Sequence, residues 1–185
     1  MSGHNKWAQI KRQKGAEDAR KSKRFAMLGR MIAVESKKAA GNVSSPGLRA
    51  VIEKARKENM PNDTIDRAVK RGSGADAPTM EEFLMEGYGP GGIAIVVEGL
   101  TDSKNRTINE IKHIFAKHGA TLASPGAAIW AFAKSEDGPD AQVGASWKAT
   151  NGMDVPDDVA ETLGALITDL ESNEDVKAVA TNASA

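Results

Sequence analysis

The stretch that decides the fold is Glu86-Gly87-Tyr88-Gly89-Pro90-Gly91-Gly92-Ile93-Ala94-Ile95-Val96-Val97-Glu98-Gly99-Leu100-Thr101-Asp102-Ser103-Lys104-Asn105-Arg106-Thr107. It opens as the most glycine-dense loop of the chain. It continues as the longest unbroken apolar run, Ile93 to Val97, and closes on Thr101-Asp102-Ser103, residue types that cap a helix start. Gly87, Gly89 and Gly92 satisfy G-x-G-x-x-G, the fingerprint of a dinucleotide loop. Such a loop must follow a strand and open a helix, because the helix N-terminus binds the anion. This one opens a strand, and Pro90 removes one of the amides that a phosphate would need. The stretch therefore reads as a tight connection, with glycines at positive φ, feeding the central strand of a domain.

Toward the C-terminus the pattern alternates. A strand near Phe83–Glu86 precedes the loop and the strand 93–99 follows it. A helix is expected over 104–118, with Ile108, Ile111 and Phe115 on one face and Gly119 as its stop. Ile129-Trp130-Ala131-Phe132 reads as a strand, Ser135 to Asp140 as a polar turn, and 143–155 as one or two short strands. Pro156-Asp157-Asp158 starts a helix with Val159, Leu163, Leu166, Ile167 and Leu170 inward, and Val176 to Ala180 alternates as a last strand. Strand–helix–strand repeated is the split βαβ arrangement. It predicts a ferredoxin-like α+β domain over 80–185, with helices on one face of a mainly antiparallel sheet.

Toward the N-terminus, Ser73 to Thr79 is the best linker, and a domain boundary is placed there. Before it, three amphipathic helices predict a small bundle within residues 1–74. The first spans 16–40, with Phe25, Leu28 and Ile32 on one line, Met27, Met31 and Val34 beside it, and Gly41 as C′ residue. The second begins at Ser45-Pro46 and buries Leu48, Val51, Ile52 and Ala55. Asn59-Met60-Pro61 ends it, and a third helix carries Ile65, Ala68 and Val69 and stops at Gly72. Residues 1–15 read as an extended basic arm carrying Trp7.

The 185 residues are 40 % apolar, as expected for a globular chain, and their formal net charge is zero. That zero hides a division. Residues 1–74 hold 18 Lys and Arg against 7 Asp and Glu, a net +11, and residues 75–185 hold the opposite, a net −11. A segment at +11 repels itself unless something anionic neutralises it, which points to nucleic acid; the alternative is neutralisation by the acidic half. No cysteine is present, which excludes disulfides, zinc-thiolate sites and thiol catalysis and suits a reducing cytoplasm. No run approaches the roughly 18 apolar residues of a membrane span, and the N-terminus lacks the apolar core of a signal peptide.

Catalytic and cofactor chemistry finds no support. His113 and His118 are five apart on a helix, on different faces, and do not make a metal pair. Ser2-Gly3-His4 could hold square-planar copper or nickel only if the initiator Met is removed, and no metal role is assigned to it. No G-x-S-x-G, Walker A or H-E-x-x-H pattern occurs, and no carboxylate pair stands out for acid–base work. The expectation is a non-enzymatic protein with no cofactor. Its candidate nucleic-acid contacts are Lys6, Trp7, Lys11, Arg12, Lys14, Arg20, Lys21, Lys23, Arg24, Lys54, Arg56, Lys57, Met60, Arg67, Lys70 and Arg71, with Asn105 and Arg106 beyond the glycine loop. Trp7 is placed either to stack on an unpaired base or to anchor the arm on the bundle. Nothing marks a recognition helix, so base-specific readout is not implied.

These residues also carry a resemblance. Gly3-His4-Asn5-Lys6-Trp7, Ala16-Glu17-Asp18-Ala19-Arg20-Lys21, Asn59-Met60-Pro61-Asn62-Asp63-Thr64-Ile65-Asp66-Arg67-Ala68, Glu86 to Gly92 and Phe115-Ala116-Lys117-His118-Gly119 are together specific. Through them the chain resembles the YebC family over most of residues 1–134. The resemblance implies a helical N-terminal domain followed by α+β domains, and no enzymatic activity. It implies either a probable DNA-binding transcriptional regulator or a ribosome-associated translation factor that eases elongation, for example at proline-rich stretches. The chain departs from the family pattern at 134–147, where a third domain is usually inserted. The leading expectation is an rRNA- or ribosome-binding translation factor, with DNA-binding regulation as the alternative and a protein–protein adaptor as a second one.

Overall fold

The computed structural model describes residues 17–77, 79–134 and 147–184, with side chains from residue 21 onward. The element order is α1 (Glu17–Lys38), α2 (Pro46–Lys57), α3 (Asn62–Ser73), β1 (Glu81–Tyr88), β2 (Ala94–Thr101), α4 (Lys104–Lys117), β3 (Thr121–Ala123), β4 (Phe132–Lys134), β5 (Trp147–Ala149), α5 (Asp157–Ser172) and β6 (Val176–Thr181). The class is α+β. Two compact units result: Ala16–Glu81 with Leu100–Ser103, and Glu82–Gly99 with Lys104–Ala185.

In the helical unit, periodic apolar positions converge on one core. Leu28 and Ile32 of α1, Leu48, Ile52 and Ala55 of α2, and Ile65 and Ala68 of α3 are buried together with Met60. The helix ends follow specific chemistry. At the end of α1, the Gly41 N–H donates to the Ser36 carbonyl and the Ala40 N–H to that of Lys37. These are the paired bonds of a Schellman motif. The C′ residue is therefore Ala40, at φ 47°, one position earlier than the sequence reading had it, and Gly41 follows at φ 78°. The end of α2 repeats the device. Met60 N–H bonds Ala55 O and Asn59 N–H bonds Arg56 O, with Asn59 at φ 60°. In this motif the C″ side chain packs back toward the C3 position, which turns Met60 inward.

Helices α1 and α3 cross closely at Gly72, where a Cβ would run into the Ala33 backbone. The crossing is fixed further by Ser36 Oγ, buried, donating to Val69 O at 2.7 Å.

The sheet of the second unit has the order β3-β1-β2-β6. Strands β1 and β2 form a hairpin across the glycine loop. β1 pairs antiparallel with β3 (Gly87 opposite Leu122), and β2 antiparallel with β6 (Val97 opposite Val179). Strands β2 and β3 thus flank β1 with α4 crossing between them, a split βαβ unit. The unit begins with the β1–β2 hairpin, so the order is strand–strand–helix–strand rather than strand–helix–strand twice. The second helix, α5, connects to the β6 edge.

Strand β2 explains its own composition. Side chains alternate across a sheet, so Ile95 and Val97 face one side and Ala94 and Val96 the other. Ile95 and Val97 join Phe83, Ile111, Phe115, Leu163, Leu166 and Leu170 under α4 and α5. Ala94 and Val96 pack with Ala128, Ala131 and Phe132 under a second layer, to which Tyr88, Ile129, Trp147 and Ala149 contribute. A strand covered on both faces reads as a continuous apolar run. In the loop before it, Gly91 and Gly92 take φ of 72° and 74°, the left-handed conformation that the sequence required.

The second layer differs from the sequence reading. Ile129–Ala131 forms a 3-10 turn, and the strand is Phe132–Lys134, pairing with β5 so that Lys134 stands opposite Trp147. The cause is Glu86. Its side chain is only 5 % exposed, and its carboxylate accepts N–H bonds from Gly126, Ala128 and Ile129, each at 2.7 Å. Amides bound to a carboxylate cannot join a ladder. Burial alone would raise the Glu86 pKa, but the three backbone N–H bonds outweigh it and hold the value below the ordinary glutamate range.

Two outcomes are expected. Gly72→Ala should push α1 from α3 and cost roughly 1–3 kcal/mol, read as a lower denaturant midpoint at unchanged slope; an unchanged midpoint would show that the crossing has room. Glu86 has a lowered folded pKa, so its stabilisation is present above the unfolded-state value of about 4.3 and is lost as pH falls through the folded value. The midpoint of the wild type should therefore fall with acid more steeply than that of Glu86→Gln, and parallel curves would remove this role from Glu86.

Candidate nucleic-acid interface

The basic helical faces arise from the same periodicity as the core. On α3, Ile65, Ala68 and Gly72 are buried, which leaves Arg67, Lys70 and Arg71 on the opposite face. On α2, burial of Leu48, Ile52 and Ala55 leaves Arg56 and Lys57 exposed in the last turn. Cations in last turns also complement the helix dipole, so the position alone has a structural use.

Engagement separates these residues. Lys21 Nζ lies 5.7 Å from the centroid of the Phe25 ring, a cation–π distance. Arg24 is half-buried, with Nε 3.8 Å from Glu58 Oε2 and without a hydrogen bond of its own. Lys23 and Lys54 are half-buried as well. Arg67 is tied to its own helix, donating to Asp63 O and Thr64 Oγ1 at 3.2 Å each. Exposed Arg49 pairs with Glu53 at 3.1 Å. Among the described residues, Arg56, Lys57, Lys70 and Arg71 are exposed and have no ion-pair partner. Of the helical unit's candidate contacts, they are the ones most available to an external anion.

Two proposed contacts take other roles. Met60 is 4 % exposed and belongs to the helical core, because the cap of α2 turns it inward. Arg106 donates through Nη2 to Asp175 Oδ2 at 2.8 Å, and Thr107 Oγ1 donates to the same oxygen at 2.6 Å. The Asp175 side chain is 1 % exposed, so Arg106 compensates a buried carboxylate. Asn105 is exposed on the first turn of α4. Lys6, Trp7, Lys11, Arg12, Lys14 and the Ser2-Gly3-His4 triplet lie outside the described residues, as does the side chain of Arg20.

Other chemistry is not assembled. His118 Nε2 and Lys117 Nζ each lie 2.8 Å from Asp169 Oδ2. Hydrogen bonds from Lys117 and then His118 hold the Asp169 pKa below the ordinary aspartate value. This joins α4 to α5 through partly buried His118 and Asp169 and exposed Lys117. Among the described residues, no group of three His, Asp or Glu could hold a metal ion, and no helix is long and apolar enough to cross a membrane.

Sequence reasoning missed one arrangement in the sheet unit. Trp130 is 59 % exposed, and its indole N–H donates to Ala127 O at 2.8 Å with the Tyr88 hydroxyl 3.3 Å away. Tyr88 OH donates to the same Ala127 carbonyl. The available signal was Glu86 itself, a carboxylate between Met85 and Gly87 in a strand with no nearby cation in sequence.

Residues 5–75 match the family model of the TACO1/YebC protein N-terminal domain, and residues 80–137 that of the TACO1/YebC second and third domain. A "probable transcriptional regulatory protein" of Thermotoga petrophila is 51 % identical over 134 residues, 71 % of this chain and 53 % of that protein. One of the same name from Finegoldia magna is 48 % identical over 134 residues, covering 71 % of this chain and 56 % of its own. The chain thus spans about half the length of these curated relatives. The crystal structure of a conserved hypothetical protein from Aquifex aeolicus superimposes with a TM-score of 0.77 at 29 % identity, over 96 % of both chains. With both domain models matched in order and identity near one half to the curated relatives, the chain belongs to the TACO1/YebC family.

Proposed function

We propose that the chain is a non-enzymatic regulator of gene expression that binds nucleic acid through its basic helical unit, with structured RNA, the ribosome foremost, as its target in the cytoplasm. Within that reading it acts in translation and eases elongation, for example at proline-rich stretches. The observation that carries the binding is the set Arg56, Lys57, Lys70 and Arg71, exposed and without ion-pair partners among the described residues, on the unit that follows the basic arm in sequence. Such cations neutralise phosphates and release counterions, a contact that reads backbone and shape rather than sequence.

The names of the curated relatives favour a second reading, a DNA-binding transcriptional regulator. The pair α2–α3 joined through Asn59 has helix-turn-helix spacing. A recognition helix, however, presents its N-terminal residues to base edges in the major groove. The first turn and a half of α3 carries exposed Asp63 and Asp66 ahead of its cations Arg67, Lys70 and Arg71. Carboxylates at the entering end oppose insertion between two phosphate backbones. That weighs toward contact along an RNA surface.

Replacing Arg56, Lys57, Lys70 and Arg71 by Gln should lower the slope of log affinity against log salt by about 3, at roughly 0.7–0.9 per lost phosphate contact. The circular-dichroism spectrum should not change. A wild type with a flat salt response would exclude both nucleic-acid readings and leave a protein–protein adaptor. Cosedimentation with ribosomes, beside cross-linking in cells, separates the two targets: rRNA is expected, and promoter DNA without rRNA would reverse their order.

A further inference from the structure

The segment that follows β6 is held by one buried side chain. Asn182 is 1 % exposed, and each of its polar groups is bonded. Its N–H donates to Ala94 O at 3.2 Å, and its Oδ1 accepts from Ala94 N at 2.8 Å. Its carbonyl accepts from Met153 N at 2.7 Å, and its Nδ2 donates to Asn151 O at 3.1 Å. Ser184 N–H then donates to Met153 O at 2.7 Å, and Ala183 packs on the core beneath α4 and α5. Residues 182–184 are thus pinned between β2 and the stretch Asn151–Met153.

That stretch has a chemical weak point. Asn151 is the one asparagine of the sequence that is followed by glycine. It is exposed, and among the described residues its side chain makes no hydrogen bond and the Gly152 N–H has no acceptor. The flanking amides of Thr150 and Met153 are both bonded. Gly152 has no Cβ to keep its nitrogen away from the preceding side chain, and asparagine is among the thermally labile residues. Other asparagines at turns are engaged. Asn42 Oδ1 accepts from Ser44 N, and Asn173 bonds Glu110 and the Asp175 N–H through its side chain. Asn59 is followed by the bonded amide of Met60.

We propose that Asn151 is a site of spontaneous deamidation whose product releases the segment 182–184. The Gly152 nitrogen attacks Cγ of Asn151, its proton leaves with the side-chain amino group as ammonia, and a cyclic imide forms. Water opens the imide at either carbonyl, giving aspartate or isoaspartate. In isoaspartate the chain runs through Cβ and Cγ and is one atom longer, and the former backbone carbonyl becomes a carboxylate off the main chain. That carbonyl is the acceptor of Asn182 Nδ2. A carboxylate drawn to solvent leaves the buried amide unpaired, at the cost of its full desolvation. The added atom also displaces Met153, whose N–H and carbonyl both bond the segment. The change belongs to the sheet unit and does not depend on nucleic acid.

The test ages the full chain in mildly alkaline buffer. Isoaspartate is followed with an isoaspartyl methyltransferase and a labelled methyl donor, and the label is placed by peptide fragmentation. Residue 151 should be labelled first, and Asn151→Gln, whose longer side chain closes the ring far more slowly, should lose that label. Hydrogen exchange should show the protection of the Met153 and Ser184 amides falling by about 5- to 30-fold on ageing, the worth of one or two net hydrogen bonds, while the amides of α1 to α3 keep theirs. Label arising first at another asparagine would overturn the site. Label at Asn151 with unchanged protection of Met153 and Ser184 would overturn the release, and so would an equal fall in aged Asn151→Gln.

Discussion

Burial of β2 on both faces is the constraint from which the sheet unit follows. Five consecutive residues, Ile93 to Val97, are excluded from water. At about 1.5–3 kcal/mol for each large aliphatic side chain removed from solvent, neither face of this strand can be left open. One face takes α4 and α5, whose leucines, isoleucines and Phe115 meet Ile95 and Val97. The other takes a thin layer of turn and hairpin, and its shallow fit is set by the small side chains of Ala94, Ala128 and Ala131. That layer lacks the bulk to hold itself by apolar contact alone. Glu86 and Asn182 supply the remainder as buried hydrogen-bonding groups. The carboxylate of Glu86 gathers the amides of the turn, and Asn182 Oδ1 accepts from Ala94 N at 2.8 Å while Nδ2 donates to Asn151 O at 3.1 Å.

Charge is handled differently in the two units. In the sheet unit three cations are committed: Arg106 to Asp175, Lys117 to Asp169 and Lys177 to Glu98. In the helical unit several cations remain exposed while the acids nearby are already engaged locally, Glu35 with Lys38 and Glu53 with Arg49. Exposed pairs of this kind contribute little to stability, so the basic surface is not explained by the folding of the helices.

The helices were legible because a 3.6-residue period with Pro46 and Gly72 as punctuation needs only local information. The central strand was legible because its apolar run is bracketed by glycines. What escaped depends on partners distant in sequence. Ile129–Ala131 has strand composition, yet Glu86, more than forty residues earlier, captures the amide of Ile129 and those of Gly126 and Ala128 before it. Arg106 was read as a candidate nucleic-acid contact, and Asp175, 69 residues later, binds it. Met60 sits among polar residues in an apparent loop, and only the cap geometry of α2 shows that it faces inward. Strand β3 has three residues and too few positions to display a period. The same limit applied to the surface: the free and the committed cations have identical side chains, and only the fold distinguishes them.

The pairing of Lys134 with Trp147 bears on how this architecture can vary in size. The chain leaves the second layer and re-enters it at two directly opposed positions of one antiparallel pair. Whatever lies between is closed on itself before it reaches the rest of the sheet. Closure entropy rises only slowly with length, by about 0.6 kcal/mol for each doubling of a flexible segment. A twelve-residue connection and a whole folded module are therefore nearly equivalent attachments, as far as the sheet is concerned. The match to the family's second-and-third-domain model ends at residue 137, within this connection. The opposed positions Lys134 and Trp147 thus let the intervening segment vary in length without changing the register of β4 and β5.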